Sequence, residues 1–211
     1  GASRVNQLIE GVRLFTGVGE HVIEDGVVWV SGDRIRYAGS LKDCPSLPSD
    51  VRRHSFKGQF VMPGMTETHA HLSFADANPF AIGETGVETG TITAVRNARL
   101  MLASGFTSAV SFGSTYQIDV ALREAINTGQ VIGPRLRAAG RDLGATSSNV
   151  DSPGGLSQIA DGPWALRQAV RSQRKLGVDI VKIFIDGENI NPKNPPGELS
   201  FTDEEVHAIV D

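Results

Sequence analysis

The feature that most constrains the fold is a change of pattern at Pro63-Gly64. Before this point short strands are joined by turns, and after it strands alternate with helices. Helices between successive strands indicate parallel β/α units, because a parallel strand pair needs a long crossover connection. From Met62 onward we count four such units, whereas a closed barrel has eight and takes about 250 residues. The sequence therefore predicts an α/β protein in which residues 62–211 form the N-terminal half of a (β/α)8 TIM barrel.

The predicted helices have recognisable ends. Three of them end at glycine, and the fourth begins at Thr202 with Glu205 three residues later, the spacing of a capping box. The predicted helices span 91–105, 118–129, 162–177 and 200–211, and the strands between them span 106–112, 134–140 and 178–187.

The segment before the barrel shows no helical period. Residues 27–31 and 34–38 flank a Gly32-Asp33 turn and predict a β-hairpin. With two further short strands near its end, the segment 1–61 is predicted to be part of a small β-sandwich domain.

Composition excludes several classes of protein. The 211 residues carry a formal net charge of −4, with 40% hydrophobic and 21% charged residues, and no basic patch stands out. We therefore expect no nucleic-acid partner. No apolar run is long enough to span a bilayer, so no membrane partner is expected. The single cysteine, Cys44, cannot form an internal disulfide, which favours a cytoplasmic location.

Two histidines follow the apolar run before the pattern change. His69 and His71 are separated by one residue, so in a strand they point to the same face. At the carboxyl end of a barrel strand that face is inward, where such barrels keep their active sites. Two imidazoles in this position can bind one divalent metal ion. The alternative is a pair of partly buried histidines beside a loop.

A lysine lies in the middle of the last predicted strand. Lys182 shares a face with Ile180, Phe184 and Asp186 in a segment that is apolar on both faces. Burial disfavours a cation, lowers the pKa of the amine and favours its neutral form. A neutral amine can act as a base, form a Schiff base, or react with carbon dioxide to give a carbamate. The alternative is a lysine paired with a buried carboxylate such as Asp186.

Four segments in order resemble one family. The stretches VMPGMTETHAHL, GFTSAV, TGQVIGPRLRAAGR and GVDIVKIF are similar to the amidohydrolase superfamily of metal-dependent hydrolases. Within it they are nearest to the imidazolonepropionase-like and Xaa-Pro dipeptidase-like branch, with phenylurea and thiocarbamate hydrolases as further relatives. The resemblance extends over almost the whole chain.

The resemblance implies a binuclear metal site. His69 and His71 match metal ligands of the family, and Lys182 matches the lysine that is carboxylated and bridges two divalent ions. Zinc is expected, with cobalt, manganese or iron as alternatives. The implied reaction is hydrolysis of a C–N bond in an amide, urea or carbamate, including xenobiotic ones, by a hydroxide that the metals share. Lys182 would therefore be both a catalytic residue and a metal ligand.

The sequence departs from the family at two places. The family usually has aspartate two residues before the first histidine, where this chain has Glu67. After the third barrel strand, the family's Gly-Gly-His-type segment is replaced by GRDLGATSSNVDSPGG. Arg141, Asp142 and Ser148 in this stretch could contact substrate, although a solvated loop is the simpler interpretation.

The family's remaining ligands lie on strands 5, 6 and 8, beyond the pattern seen here. We therefore expect a complementing C-terminal segment that carries strands 5–8, and we expect a homo-oligomer that acts on a small-molecule substrate. Two other interpretations stay open. One is a non-catalytic scaffold related to amidohydrolases, and the other is an enzyme that forms a Schiff base at Lys182.

Overall fold

The computed structural model describes residues 5–75, 79–82, 84–151, 155–188 and 193–211. The chain divides into two compact units, Gly1–Pro63 and Gly64–Asp211. Within these described ranges, no helix combines the length and the apolar character that crossing a membrane requires.

The first unit is built on one mixed sheet. Its elements are β1 (Asn6–Phe15), β2 (Val22–Ser31), β3 (Arg34–Ser40), a 3-10 helix (Leu41–Asp43), β4 (Arg52–Ser55) and β5 (Phe60–Val61). The strand order is β3-β2-β1-β4, and β5 also pairs with β1. The β2–β3 pair is the hairpin predicted around Gly32-Asp33.

Strand β1 is central and carries the core of this unit. Leu8, Val12 and Leu14 are almost fully buried, and Val12 and Leu14 pack with Val28 of β2. Gly11, at φ +72°, interrupts the pairing with β2 between Glu10 and Val12. A glycine at positive φ admits a bulge here, which places Val12 on the core side.

The second unit contains the predicted alternation of strands and helices. Its elements are β6 (Met65–Ala70), α1 (Pro79–Ile82), α2 (Val87–Ala103), β7 (Phe106–Ser111), α3 (Ile118–Asn127), β8 (Arg135–Arg137), β9 (Asp142–Gly144), β10 (Ser157–Ile159), α4 (Pro163–Lys175) and α5 (Asp203–Val210). Strands β6, β7 and β8 form a parallel sheet in that order. Helices α2 and α3 are the crossovers between them, as parallel neighbours require.

Helix α2 buries only small residues. Gly90, Ala94 and Ala98 are the buried residues of α2, spaced four apart on one face. These small side chains let α2 pack closely on the sheet.

Helix α5 begins at the predicted capping box, in which Thr202 and Glu205 exchange hydrogen bonds with each other's backbone.

The prediction of a regular strand at 178–187 is wrong. This stretch, called the Lys182 segment below, forms isolated bridges only: Ile183 pairs with Leu143 in parallel, and Asp186 pairs with Leu199 in antiparallel fashion. The segment runs beside β9 without a continuous ladder.

The ladder is interrupted because backbone N–H groups of the neighbouring segment donate to a side chain instead of to the Lys182 segment. Ala138 accepts hydrogen bonds from the start of the Lys182 segment, but the N–H groups of Ala139 and Gly140 donate to the carboxylate of Asp119. Gly140 is at φ +70°, so the chain turns here before β9 begins.

The interpretation of the stretch 140–155 as a solvated loop is wrong for residues 142–144, and residues 152–154 of the stretch lie outside the described residues. Asp142, Leu143 and Gly144 are buried and form β9, which pairs in parallel with β10. Leu143 is fully buried in a second core cluster with Leu166 and Phe201. The three-residue strand carries no alternation that a sequence pattern could detect.

Candidate metal centre

The two histidines lie together at the end of β6. His69 is in the strand and His71 follows it, and their ring centres are 5.2 Å apart. The ring of His69 stacks on Phe112 and the ring of His71 stacks on Phe74, each with ring centres 4.6 Å apart. His69 is exposed and His71 is half-buried. Aromatic stacking therefore orients both imidazoles.

A hydrogen bond to the main chain selects the tautomer of His71. Its Nδ1 lies 3.0 Å from the carbonyl oxygen of Gly113. A carbonyl can only accept, so Nδ1 carries the proton in the neutral ring and Nε2 keeps a free lone pair. This is the arrangement of a metal-binding histidine whose other nitrogen is held by a hydrogen bond.

The electrostatic surroundings keep His71 neutral. Burial lowers the pKa of His71, and the positive charges of His69 and Lys182 lower it further. The hydrogen bond to Gly113 and the negative charge of Asp119 oppose this shift without cancelling it. A neutral imidazole is the form that binds a metal ion.

The register of the Lys182 segment places Lys182 beside Asp142. Leu143 pairs with Ile183, its N–H donates to the carbonyl of Lys182 (2.8 Å), and its carbonyl accepts from Phe184 (3.3 Å). Side chains alternate along a strand, so the residue before Leu143 and the residue before Ile183 both point to the face opposite to that of Leu143 and Ile183. Asp142 and Lys182 are therefore cross-strand neighbours on one face.

One phenylalanine ring connects the lysine to the histidine pair. The Nζ of Lys182 lies 4.5 Å from the ring centre of Phe184 and 5.2 Å from that of Phe112. The same Phe112 ring carries His69. The structure thus brings His69, His71 and Lys182 to one place, although more than 100 residues separate the lysine from the histidines in the sequence.

Asp142 is a buried carboxylate in this cluster. Only 2% of Asp142 is exposed, and within the described part of the chain its Oδ1 has no hydrogen-bond partner. Burial raises the pKa of this carboxyl to about 7; the positive charge of Lys182 opposes the rise, and Asp119 and Glu188 add to it. Asp142 therefore titrates near neutral pH.

The other two residues predicted to contact substrate lie in the same buried region. Arg141 is half-buried, its carbonyl accepts from the Nε2 of Gln173 (2.7 Å), and its own Nε is enclosed. Ser148 is 4% exposed. Among the residues described, neither the Nε of Arg141 nor the Oγ of Ser148 has a hydrogen-bond partner. Buried polar atoms usually have a hydrogen-bond partner in protein, water or a bound ion, so these two atoms are candidates for contact with a bound molecule.

Two residues of the site were not predicted from the sequence. Phe112 and Gly113 follow β7 directly, and they contact His69 and His71. Their position in the sequence could have indicated them, because the carboxyl ends of β6 and β7, which are parallel neighbours, lie side by side.

The residues present fit part of a metal site. In the described ranges, no three histidine, cysteine, aspartate or glutamate side chains form a group that could hold a metal ion. The neutral His71 with a free Nε2 and the adjacent His69 nevertheless match two of the three or four protein ligands that zinc takes. The chain therefore offers a histidine pair suited to a divalent ion, with a lysine nearby.

Known proteins match the chain over most of its length. The model of the amidohydrolase family matches residues 60–211. An ochratoxinase of Aspergillus niger is 27% identical over 227 residues, which cover 94% of this chain and 46% of the relative. An imidazolonepropionase of Paenarthrobacter aurescens is 28% identical over 124 residues, 49% of this chain and 30% of the relative.

A solved structure is similar to this chain over nearly all of its length. A Xaa-Pro dipeptidase with methionine bound in its active site superimposes with a TM-score of 0.82 at 25% identity, over 97% of this chain and 53% of that one. The chain thus spans about half the length of the relatives that it matches along most of its own length. The resemblance inferred from the four sequence segments is confirmed, and the chain belongs to the amidohydrolase family.

Proposed function

We propose that the protein is a metal-dependent hydrolase that cleaves a C–N bond of an amide, urea or carbamate. His69, His71 and Lys182 are the proposed ligands of two divalent ions, zinc by preference, and Lys182 is also the proposed catalytic residue. The proposal covers the activity of the whole protein, since the chain corresponds to about half of its relatives.

The observation that carries the proposal is the state of His71. Its Nδ1–H is held by the carbonyl of Gly113, its pKa is lowered, and its ring lies 5.2 Å from that of His69. Both imidazoles can thus offer a lone pair to one ion. Divalent ions in such sites polarise a carbonyl oxygen and supply a hydroxide nucleophile at neutral pH.

The proposed role of Lys182 requires a chemical change. As a cation it lies against the faces of Phe112 and Phe184, which is a favourable position for an ammonium group. A cation repels a metal ion, whereas a carbamate on the same nitrogen would offer two anionic oxygens. We therefore propose that Lys182 is carboxylated when metal is bound.

Substrate contacts are proposed for Arg141, Asp142 and Ser148. All three carry a buried polar atom without a partner in the described ranges. Among the relatives, the Xaa-Pro dipeptidase is named for a dipeptide substrate, and this makes amides the first class to test.

The remaining parts of the proposal concern the whole molecule. We propose that residues 62–211 are half of a TIM barrel, that residues 1–61 belong to a small β-sandwich domain, and that strands 5–8 come from a complementing C-terminal segment. We further propose a cytoplasmic homo-oligomer that acts on small molecules.

Zinc binding tests the histidine pair. We expect the purified protein to bind zinc, and we expect His71→Ala to weaken binding by a factor of about 100 or more, because a ligand is removed. His207→Ala is the matched control, since His207 is exposed on α5 and its Nδ1 contacts only the adjacent turn of its own helix. Equal zinc affinity in wild type and His71→Ala would contradict the metal centre.

Carbon-13 labelling tests the lysine. In buffer with zinc and labelled bicarbonate, we expect a carbamate signal that is absent from Lys182→Ala. A substrate adduct trapped on Lys182 by borohydride, without any carbamate, would instead favour a Schiff-base enzyme. Turnover of amides, ureas and carbamates that resists chelation and His69→Ala would eliminate the metal-dependent hydrolase.

A further inference from the structure

The turn after β7 contains a glycine that contacts both sides of the candidate centre. The carbonyl of Gly113 accepts the hydrogen bond from Nδ1 of His71 and a longer one (3.5 Å) from the hydroxyl of Ser111. The next residue, Ser114, is anchored by its N–H to the carbonyl of Gly140 at 2.8 Å. The peptide at 113 is therefore held in place on the side away from the histidine.

Two properties of this position require glycine. Gly113 has φ +126°, a conformation that side chains rarely adopt. A Cβ at this position would lie 2.1 Å from Oδ1 of Asp142 and 2.9 Å from its Cγ. Such distances are impossible, so an added methyl group must move either the carboxylate or the turn.

The carboxylate has little freedom to move. Asp142 is 2% exposed, and its backbone is held in β9, where its N–H donates to the carbonyl of Leu156 at 3.0 Å. On its other side lies Lys182, its cross-strand neighbour. An alanine at 113 would therefore displace the turn, and with it the carbonyl that orients His71.

From these contacts we infer that Gly113 is a positioning residue for His71. It leaves room for Asp142, and its carbonyl can then select the tautomer that presents Nε2. The inference rests on the proposed role of His71 as a metal ligand, and it adds the requirement that residue 113 be glycine. It also links Asp142 of β9 to the geometry of the histidine pair. The Gly-Gly-His-type segment of the family does not suggest this link.

The first experiment measures the tautomer in metal-free wild-type protein. Nitrogen-15 NMR of histidine-labelled protein distinguishes a protonated ring nitrogen from an unprotonated one, and His71→Gln assigns the signals. We expect Nδ1 to carry the proton and Nε2 to be unprotonated. The reverse tautomer would overturn the inference whether or not the protein binds zinc, so this result stands apart from a failure of the proposed function.

The second experiment compares two glycines. We expect Gly113→Ala to mix or reverse the tautomers of His71 and to weaken zinc binding about 10- to 100-fold, the range seen when a group that orients a ligand is lost. Gly129→Ala is the matched control: Gly129 also has positive φ (+78°), but a Cβ there meets nothing within 4 Å. We expect it to leave both measurements unchanged. Equal effects of the two substitutions, or no effect of Gly113→Ala, would overturn the inference.

The third experiment tests the contact with Asp142. In an Asp142→Ala background the space beside residue 113 is open, so we expect Gly113→Ala to weaken zinc binding by a smaller factor there than in wild type. An undiminished factor would overturn the role of the contact. If Gly113→Ala does not fold alone, the tautomer of His71 in the wild-type protein still tests the inference.

Discussion

The two sides of the candidate centre are held in different ways. On the histidine side, β6 and β7 form a parallel ladder with two register shifts, and each imidazole stacks on a phenylalanine. One carboxylate contributes here too, because Glu67 accepts from the N–H of His69 at 3.0 Å. On the lysine side, the Lys182 segment touches its neighbour through isolated bridges. Here carboxylates replace the missing ladder: Asp119 accepts from Ala139 and Gly140, and Asp179 accepts from Ala138 and Arg123.

This difference indicates which side of the candidate centre is more sensitive to mutation and to pH. A strand ladder distributes the hydrogen bonds over many peptide groups, and no single side chain is essential to it. A carboxylate that binds several backbone N–H groups concentrates the same task in one residue. We therefore expect the lysine side to respond more strongly to mutation and to pH than the histidine side.

The largest effect is expected from Asp119→Ala. Asp119 is 1% exposed and accepts from the N–H groups of Ala139, Gly140 and Val120. Leaving these donors buried without an acceptor costs roughly 1–3 kcal/mol each, so we expect a loss of about 4 kcal/mol in the free energy of unfolding. Urea denaturation measures it. Glu88→Ala, in the exposed first turn of α2, is the control, and a similar small loss in both variants would contradict the comparison.

Asp142→Asn should stabilise the metal-free protein in a pH-dependent way. The native pKa of about 7 lies above the ordinary value of 3.8, so the unfolded chain releases this proton first. The stability associated with the protonated carboxyl is present below about pH 4 and is lost as pH rises to about 7. A rise of roughly three pKa units corresponds to about 4 kcal/mol, so we expect the asparagine variant to be more stable than wild type at pH 8 by an amount of that order.

The same comparison at low pH is the control for Asp142. Near pH 4 the wild-type carboxyl is protonated in the native state and resembles the amide in charge. The stability difference should therefore shrink toward zero in urea denaturation at pH 4. A difference that does not change with pH would show that the buried charge is not its cause.

Asp179→Ala should have an intermediate effect. Burial opposes ionisation of Asp179, but hydrogen bonds from Ala138 and Arg123 outweigh it and lower the pKa of the carboxyl. The stabilisation is thus present above the ordinary pKa and is lost as pH falls through the lower native value. Because the side chain is partly exposed, we expect a loss of about 1.5 kcal/mol at pH 7.

Urea denaturation of the Asp179 variant at pH 7 and pH 2 separates charge from packing. The loss should be smaller at pH 2 than at pH 7, because the stabilisation from the lowered pKa of Asp179 decreases as pH falls below the ordinary value of 3.8. Asp33→Ala, which removes an exposed pair with Arg34, is the control and should change little at either pH. If both substitutions reduced the free energy of unfolding equally at pH 7, the carboxylate of Asp179 would have no special role in holding the lysine side.

Phe112→Leu should have the smallest effect and addresses both sides at once. The ring of Phe112 stacks on His69 and faces the Nζ of Lys182. Aromatic and cation–π contacts contribute about 0.5–1.5 kcal/mol, so we expect a loss of about 1 kcal/mol in the free energy of unfolding. The side chain of Lys182 should also become more mobile, which would be seen as increased conformational exchange of its NMR signals. An unchanged lysine spectrum would show that this ring does not join the two sides.

Much of the second unit could be predicted from local pattern. The strand 106–112, the helix 118–129 and the capping box at Thr202 depend on periodicity and on residues a few positions apart. Helix α2 begins earlier than predicted, at Val87, because the first turn contains polar residues and glycine that do not show the apolar period. Strand β9 was missed because three residues are too few to show alternation.

Local spacing in the sequence was enough to predict that the two imidazoles are adjacent. His69 and His71 are two positions apart, and side-chain alternation at a strand end brings their rings to one side. The surroundings of the two rings, by contrast, depend on contacts between distant parts of the chain. Three features join residues that are about 30 or more positions apart. They are the hydrogen bond from His71 to Gly113, the contact of the Phe112 ring with Lys182, and the burial of Asp142. Such contacts depend on how distant segments align, and both the three-residue β9 and the Lys182 segment with its isolated bridges are too short to show that alignment as a residue pattern.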